Sequence, residues 1–233
     1  MIPKLEFEEI ATVLIANNHN LTIPSLDFLQ SSGVIPSDWK LVKTPVINSQ
    51  MAEVEFTNDI IISANLNKII FSQTVEHKAP NNLQILTLVH KYIAGLPNIN
   101  YQSIEINPSC FFSFDNDGET EINHYIVTKL LSPRNWHELS NKPVKATLNL
   151  AYTLEQGEFN LKIDDVQLRQ PNNTSQSGVL FSGNFPYEIN EDTSSEQQQH
   201  LYQLLDNWQH DLKTFREIVN QRFLNRDEHS SVS

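Results

Sequence analysis

Between residues 194 and 226 apolar side chains return at alternating steps of four and three: Leu201, Leu205, Trp208, Leu212, Phe215 and Val219. That spacing keeps one stripe on one face of an α-helix. Thr193-Ser194-Ser195-Glu196 has the form of a capping box at its start. A helix of ~30 residues at ~1.5 Å per residue runs ~45 Å. This is more than a domain of this size comfortably covers, so the distal part of the stripe is expected to meet something beyond its own core.

Ahead of that helix the period changes. Phe7, Ile10, Val13, Leu14 and Ile15 mix alternation with a short apolar run, and their β-branched content predicts a strand over 6–16. The run from Ser25 to Gly33 predicts a short helix, capped by Ser25 and ended by Gly33. Strand-like stretches follow near 40–48, 51–57 and 60–75, with Asn58-Asp59 turning between the last two, and a meander is the simplest arrangement. Leu83, Leu86, Val89, His90 and Ile93 recur at helical spacing over 82–94 and stop at Gly95 and Pro97.

Residues 99–107 and 110–114 read as two strands divided by Pro108, and Asp115-Asn116-Asp117-Gly118 reads as a turn. Over 119–140, Ile122, Tyr125, Ile126, Lys129 and Leu130 lean towards a helix. Val144, Ala146, Leu148 and Leu150 then alternate with polar residues, as do Phe159, Leu161 and Ile163, so Glu155-Gln156-Gly157-Glu158 joins them as a hairpin. A polar loop over 172–177 precedes a last strand over 178–189. The sum is an α+β protein, a largely antiparallel sheet with short helices and a long C-terminal amphipathic helix. Its expected divisions are an α+β domain over 1–192, the long helix over 193–226 packing on that domain and on a partner, and a disordered tail over 227–233.

Composition narrows the function classes. Among 233 residues, 39% are hydrophobic and 12 Phe, 6 Tyr and 3 Trp are spread along the chain, enough for a packed core. Sixteen basic against 28 acidic residues give a net charge of −12, which repels phosphate backbones and anionic head groups. Nucleic acid and membrane are therefore disfavoured as partners. Acids at Glu6, Glu8 and Glu9 interrupt any export signal, and no apolar run approaches the ~20 residues of a membrane span. The lone Cys110 suits a reducing cytoplasm.

Candidate chemistry is thin. The neighbours of Cys110, Ser109, Phe111 and Phe112, match neither the papain-like nor the caspase-like signature, and burial is the usual state of such a residue. The eight histidines, His19, His77, His90, His124, His137, His200, His210 and His229, form no HxH, HxxxH or HExxH pattern, so no metal site is expected. Asp115–Glu121 clusters oxygen ligands around Gly118, but Ser113 and His124 occupy positions where a calcium loop needs ligands. Asp164-Asp165 and Glu8-Glu9 are adjacent acids that a strand points to opposite faces. The six glycines are dispersed and make no phosphate cradle, so no cofactor is expected. Lys213, Arg216, Arg222 and Arg226 form a basic ridge interleaved with acids near a helix C-terminus, where cations complement the dipole. Catalytic residues are not assigned. Phe215, Ile218, Val219, Arg222 and Phe223 are the candidate partner interface, because aromatic anchors dominate such contacts.

Three pieces, Gly33-Val34-Ile35-Pro36-Ser37-Asp38-Trp39, Lys91-Tyr92-Ile93-Ala94-Gly95-Leu96-Pro97 and Tyr101-Gln102-Ser103-Ile104-Glu105-Ile106-Asn107-Pro108, followed by a helix with Leu205, Trp208 and Phe215, resemble a sporadically distributed family of uncharacterised bacterial proteins. Glu105 departs from the glycine of that family's Tyr-x-x-x-Gly-Ile-Asn pattern. The resemblance implies no activity, cofactor or site. The expectation is a non-catalytic interaction or accessory protein of the bacterial cytoplasm that binds another protein, alone or as a homo-oligomer. The alternatives are an enzyme or small-molecule binder with a pocket of dispersed residues and, more weakly, a nucleic-acid-associated protein.

Overall fold

A computed structural model describes residues 3–16, 25–75, 83–96, 98–114, 122, 124–131, 144–169, 175–191 and 193–225. The expected turn at 115–118, most of the expected helix over 119–140, loop residues 172–174, the tail after 226 and His19, His77, His137 and His229 lie outside them. In chain order the elements are β1 (Lys4–Ala16), α1 (Leu26–Ser31), β2 (Val46–Ile47), β3 (Met51–Glu55), β4 (Ile60–Asn65), β5 (Lys68–Thr74), α2 (Ile85–Gly95) and β6 (Tyr101–Ser113). There follow a π-helical turn (His124–Leu130), β7 (Leu148–Leu154), β8 (Gly157–Arg169), β9 (Ser175–Glu188), α3 (Ser194–Asp206), α4 (Trp208–Glu217) and a closing π-helical stretch (Ile218–Phe223). The strands form one nine-stranded sheet in the order β2-β3-β4-β5-β1-β6-β9-β8-β7. The fold is α+β with a large antiparallel sheet and a C-terminal helix of about 30 residues.

The chain divides into two compact units, residues 9–108 with 184–213, and residues 1–8 with 109–183 and 214–233. Both draw on β1, β6 and β9, and residues of the C-terminal helix belong to each.

In the first unit β2 to β5 make the expected meander. Two expectations are corrected. The stretch 60–75 is a hairpin and not one strand, because Asn65 Oδ1 accepts from the N–H groups of Asn67 and Lys68, both at 3.1 Å, and turns the chain at Leu66. Residues 40–48 supply only a bridge at Leu41 and the two residues of β2. The capped ends fall where the sequence puts them. Ser25 accepts from Phe28 N–H at 3.3 Å at the start of α1, and Gly33 follows with φ +72°. The first N–H groups of α2 bond to a buried side chain of β5: Gln73 Oε1 accepts from Gln84 and Ile85. The core includes Ile62, Phe71, Tyr92, Leu201 and Leu205, with the Phe71 and Tyr92 rings edge to face at 5.3 Å.

In the second unit the hairpin closes on Glu155-Gln156 as expected, and Gly157 adopts φ +133°. Its core is aromatic: Phe111, Phe112, Phe159, Phe181 and Phe215 are buried. Gly178 has to be glycine there, since a Cβ would meet the Phe111 ring at 2.3 Å and the Phe112 carbonyl oxygen at 2.4 Å. Pro108 does not divide two strands but lies within β6. Its fixed φ of ~−65° stays within the extended region, and its missing N–H forfeits at most one ladder bond. The polar loop ends earlier than expected, because β9 already begins at Ser175.

Candidate interaction surface

The C-terminal helix carries the stripe that its spacing predicts, and its start is capped as expected. Thr193 Oγ1 accepts from Glu196 N–H at 3.3 Å and lies 2.7 Å from the Glu196 carboxylate. Leu201, Leu205, Trp208, Leu212, Phe215 and Val219 are all buried. The distal half was expected to offer Phe215, Ile218, Val219, Arg222 and Phe223 to a partner. Phe215 and Val219 are instead enclosed by the chain itself. The cause is a gap in the sheet: Gly183 leaves room for the Phe215 ring, whose Cδ2 would stand 2.8 Å from a Cβ there, beside Phe159. Ile218 and Phe223 are half-buried, Phe223 against Phe181 at 5.9 Å, while its carbonyl accepts from the Tyr125 hydroxyl at 3.0 Å. Arg222 is exposed, so of the five it alone projects fully into solvent.

Polar groups bury along the same helix in two pairs. Asp211 lies fully inside, with the Tyr187 hydroxyl 2.9 Å from each carboxylate oxygen. Burial pushes the Asp211 carboxyl up to about 6, against the opposing pull of the Tyr187 hydrogen bond. Burial and the neighbouring Asp211 charge also raise the Tyr187 phenol. Arg216 engages Glu8 fork to fork, with Nε donating to Oε1 at 2.7 Å. That removes Arg216 from the basic ridge.

Two imidazole–carboxylate pairs lie on the first unit. His90 Nε2 lies 3.2 Å from Asp206 Oδ1 while its ring stacks on Tyr202 at 4.7 Å, and His200 Nδ1 lies 2.6 Å from Glu191 Oε1. Among the described residues no group of three or more His, Cys, Asp or Glu side chains is arranged to hold a metal. Cys110 is buried in β6.

Exposed apolar surface gathers elsewhere, where the sequence pattern gave no warning. Of the seven large apolar side chains exposed among the described residues, Val42, Val46, Ile47, Met51 and Leu66 fall within 25 residues of one another, at 38% to 57% exposure. Register places them along one rim, the β2 to β4 end of the sheet, with Val46 and Ile47 on opposite faces of it. Val46 and Ile47 oppose Glu53 and Ala52, Met51 opposes Asn65 next to Leu66, and Val42 N–H bonds the Glu55 carbonyl. Lys43 bridges Glu53 and Glu55 at 3.1 and 2.9 Å beside this rim, and those two carboxylates raise its pKa. Singly scattered apolar residues need no explanation, whereas a polar-rimmed cluster is the usual form of a docking surface.

No helix among the described residues is long and apolar enough to cross a membrane. No protein-family model matches the chain, and no curated protein is similar to it.

Proposed function

We propose that the chain is a non-catalytic interaction protein of the cytoplasm, and that a partner protein docks on the rim formed by Val42, Val46, Ile47, Met51 and Leu66. The clustering of these side chains carries the reading, because it leaves apolar area in water that a partner's contact would remove, at ~25 cal/mol per Å². The Lys43 bridge to Glu53 and Glu55 supplies the polar margin of such a contact.

The test is a double substitution, Ile47→Asp with Met51→Asp. Both side chains are already exposed, so circular dichroism and melting temperature should stay close to those of the wild type. In copurification from the native host, the wild type should retain a defined protein at constant stoichiometry and the variant should lose at least tenfold of it. A wild type that retains nothing, or a variant that retains the same protein equally well, sinks the proposal.

A further inference from the structure

The two ends of the nine-stranded sheet are finished differently. At one end β2 is two residues long and follows Lys43 and Pro45, so it offers little backbone to a newcomer. At the other end β7 is seven residues long, Leu148-Asn149-Leu150-Ala151-Tyr152-Thr153-Leu154, with no charge and no proline. Long uncharged edges of this kind are templates for pairing with another chain, and proteins that avoid such pairing break them with lysine, proline or a bulge.

The register fixes what this edge presents. Leu154 opposes Gly157 across the two-residue turn, so that pair closes the hairpin with hydrogen bonds. By alternation Leu148, Leu150, Tyr152 and Leu154 turn their backbone groups to β8, and Asn149, Ala151 and Thr153 turn theirs outward. We propose that β7 pairs antiparallel with β7 of a second copy, about a twofold axis through Ala151.

The strand is self-complementary about that residue. Leu148 falls opposite Leu154, Leu150 opposite Tyr152, Asn149 opposite Thr153, and Ala151 opposite its own copy. Apolar side chains therefore meet on one face and small or polar ones on the other. The three outward residues of each copy face one another, giving about six inter-chain hydrogen bonds. A half-step shift of the centre sets outward groups against inward ones. A full step to Leu150 or Tyr152 leaves part of each strand unpaired.

Charge also favours this segment, because each copy carries −12 and repels the other except where a contact is neutral. A strand pair is a small interface, below ~1,200 Å² in class, so the dimer forms in a concentration-dependent equilibrium that added salt strengthens by screening the repulsion. The inference deepens the interaction reading but uses a surface in the other unit, so the rim variants leave it untouched.

Sedimentation equilibrium of the wild type should show a monomer–dimer equilibrium that shifts towards dimer as salt rises from about 0.05 to 0.5 M. Ala151 is exposed, so Ala151→Lys and Ala151→Glu should fold, as circular dichroism will report. Each places two like charges face to face across the axis and should weaken dimerisation at least tenfold. An equal mixture of the two variants should dimerise again, because lysine then faces glutamate. A wild type that stays monomeric up to about 0.5 mM, single variants that dimerise like the wild type, or a mixture that stays monomeric each overturns the pairing about Ala151. A different protein found along the edge of β7 overturns the second copy as its occupant.

Discussion

Asp211 shows what one residue contributes when its carboxylate is buried against a hydroxyl. Its carboxyl is held at about 6 in the fold, above the 3.8 of an ordinary aspartate. The folded state therefore keeps its proton over a range in which the unfolded chain has released it. The stability tied to this group is fully present below about pH 4 and is lost as pH rises through about 6. Asp211→Asn preserves an acceptor for Tyr187 and removes the charge. The variant should be more stable than the wild type at pH 7.5 by on the order of 1 kcal/mol, and close to it at pH 4. Urea titrations at the two pH values check this. Equal differences at both would show that Asp211 does not titrate in this range.

At the scale of elements the helix stripe is core, and its energetics should say so. Phe215→Ala should cost about 3–5 kcal/mol, because the fully buried ring fills the space over Gly183 beside Phe159. Thr193→Ala should cost only about 1 kcal/mol, the value of one N-terminal cap, since the rest of the helix stays packed. Urea denaturation separates the two. A Phe215→Ala loss below that of Thr193→Ala would return the distal stripe to the role of an interface.

The same elements show where a sequence pattern carries information. Caps and periodicity are local, so Ser25, Gly33, Gly95, Thr193 and the six-residue stripe could all be placed from the chain alone. What a buried stripe packs against is not local: the fit of Phe215 depends on Gly183, 32 positions away, which reads only as a glycine in a strand. The hairpin at Leu66 was illegible for a related reason. A leucine in the turn continues the apolar run that the Asn65 side chain interrupts. The apolar rim was hidden because strand alternation predicts one exposed and one buried face but not which side chains an edge leaves uncovered.

For the whole molecule, charge is the property with the longest reach. The basic ridge on the C-terminal helix was the best argument for a polyanion partner, and one of its cations is taken up within the fold. Arg216 is held by Glu8, while Lys213 and Arg222 remain exposed. Against them stands a net −12 that acts over a Debye length of ~8 Å at physiological salt. Counterion release supplies most non-specific affinity, and it needs several cations on one surface. The expected outcome is no submicromolar binding of random duplex DNA or RNA at about 0.15 M salt. Fluorescence anisotropy with labelled duplexes measures it directly. Binding that is tight there and falls steeply with added salt would mean that a few exposed cations outweigh the field of the whole chain. Arg222→Glu would then have to abolish that binding, since it reverses the exposed charge nearest the end of the described helix.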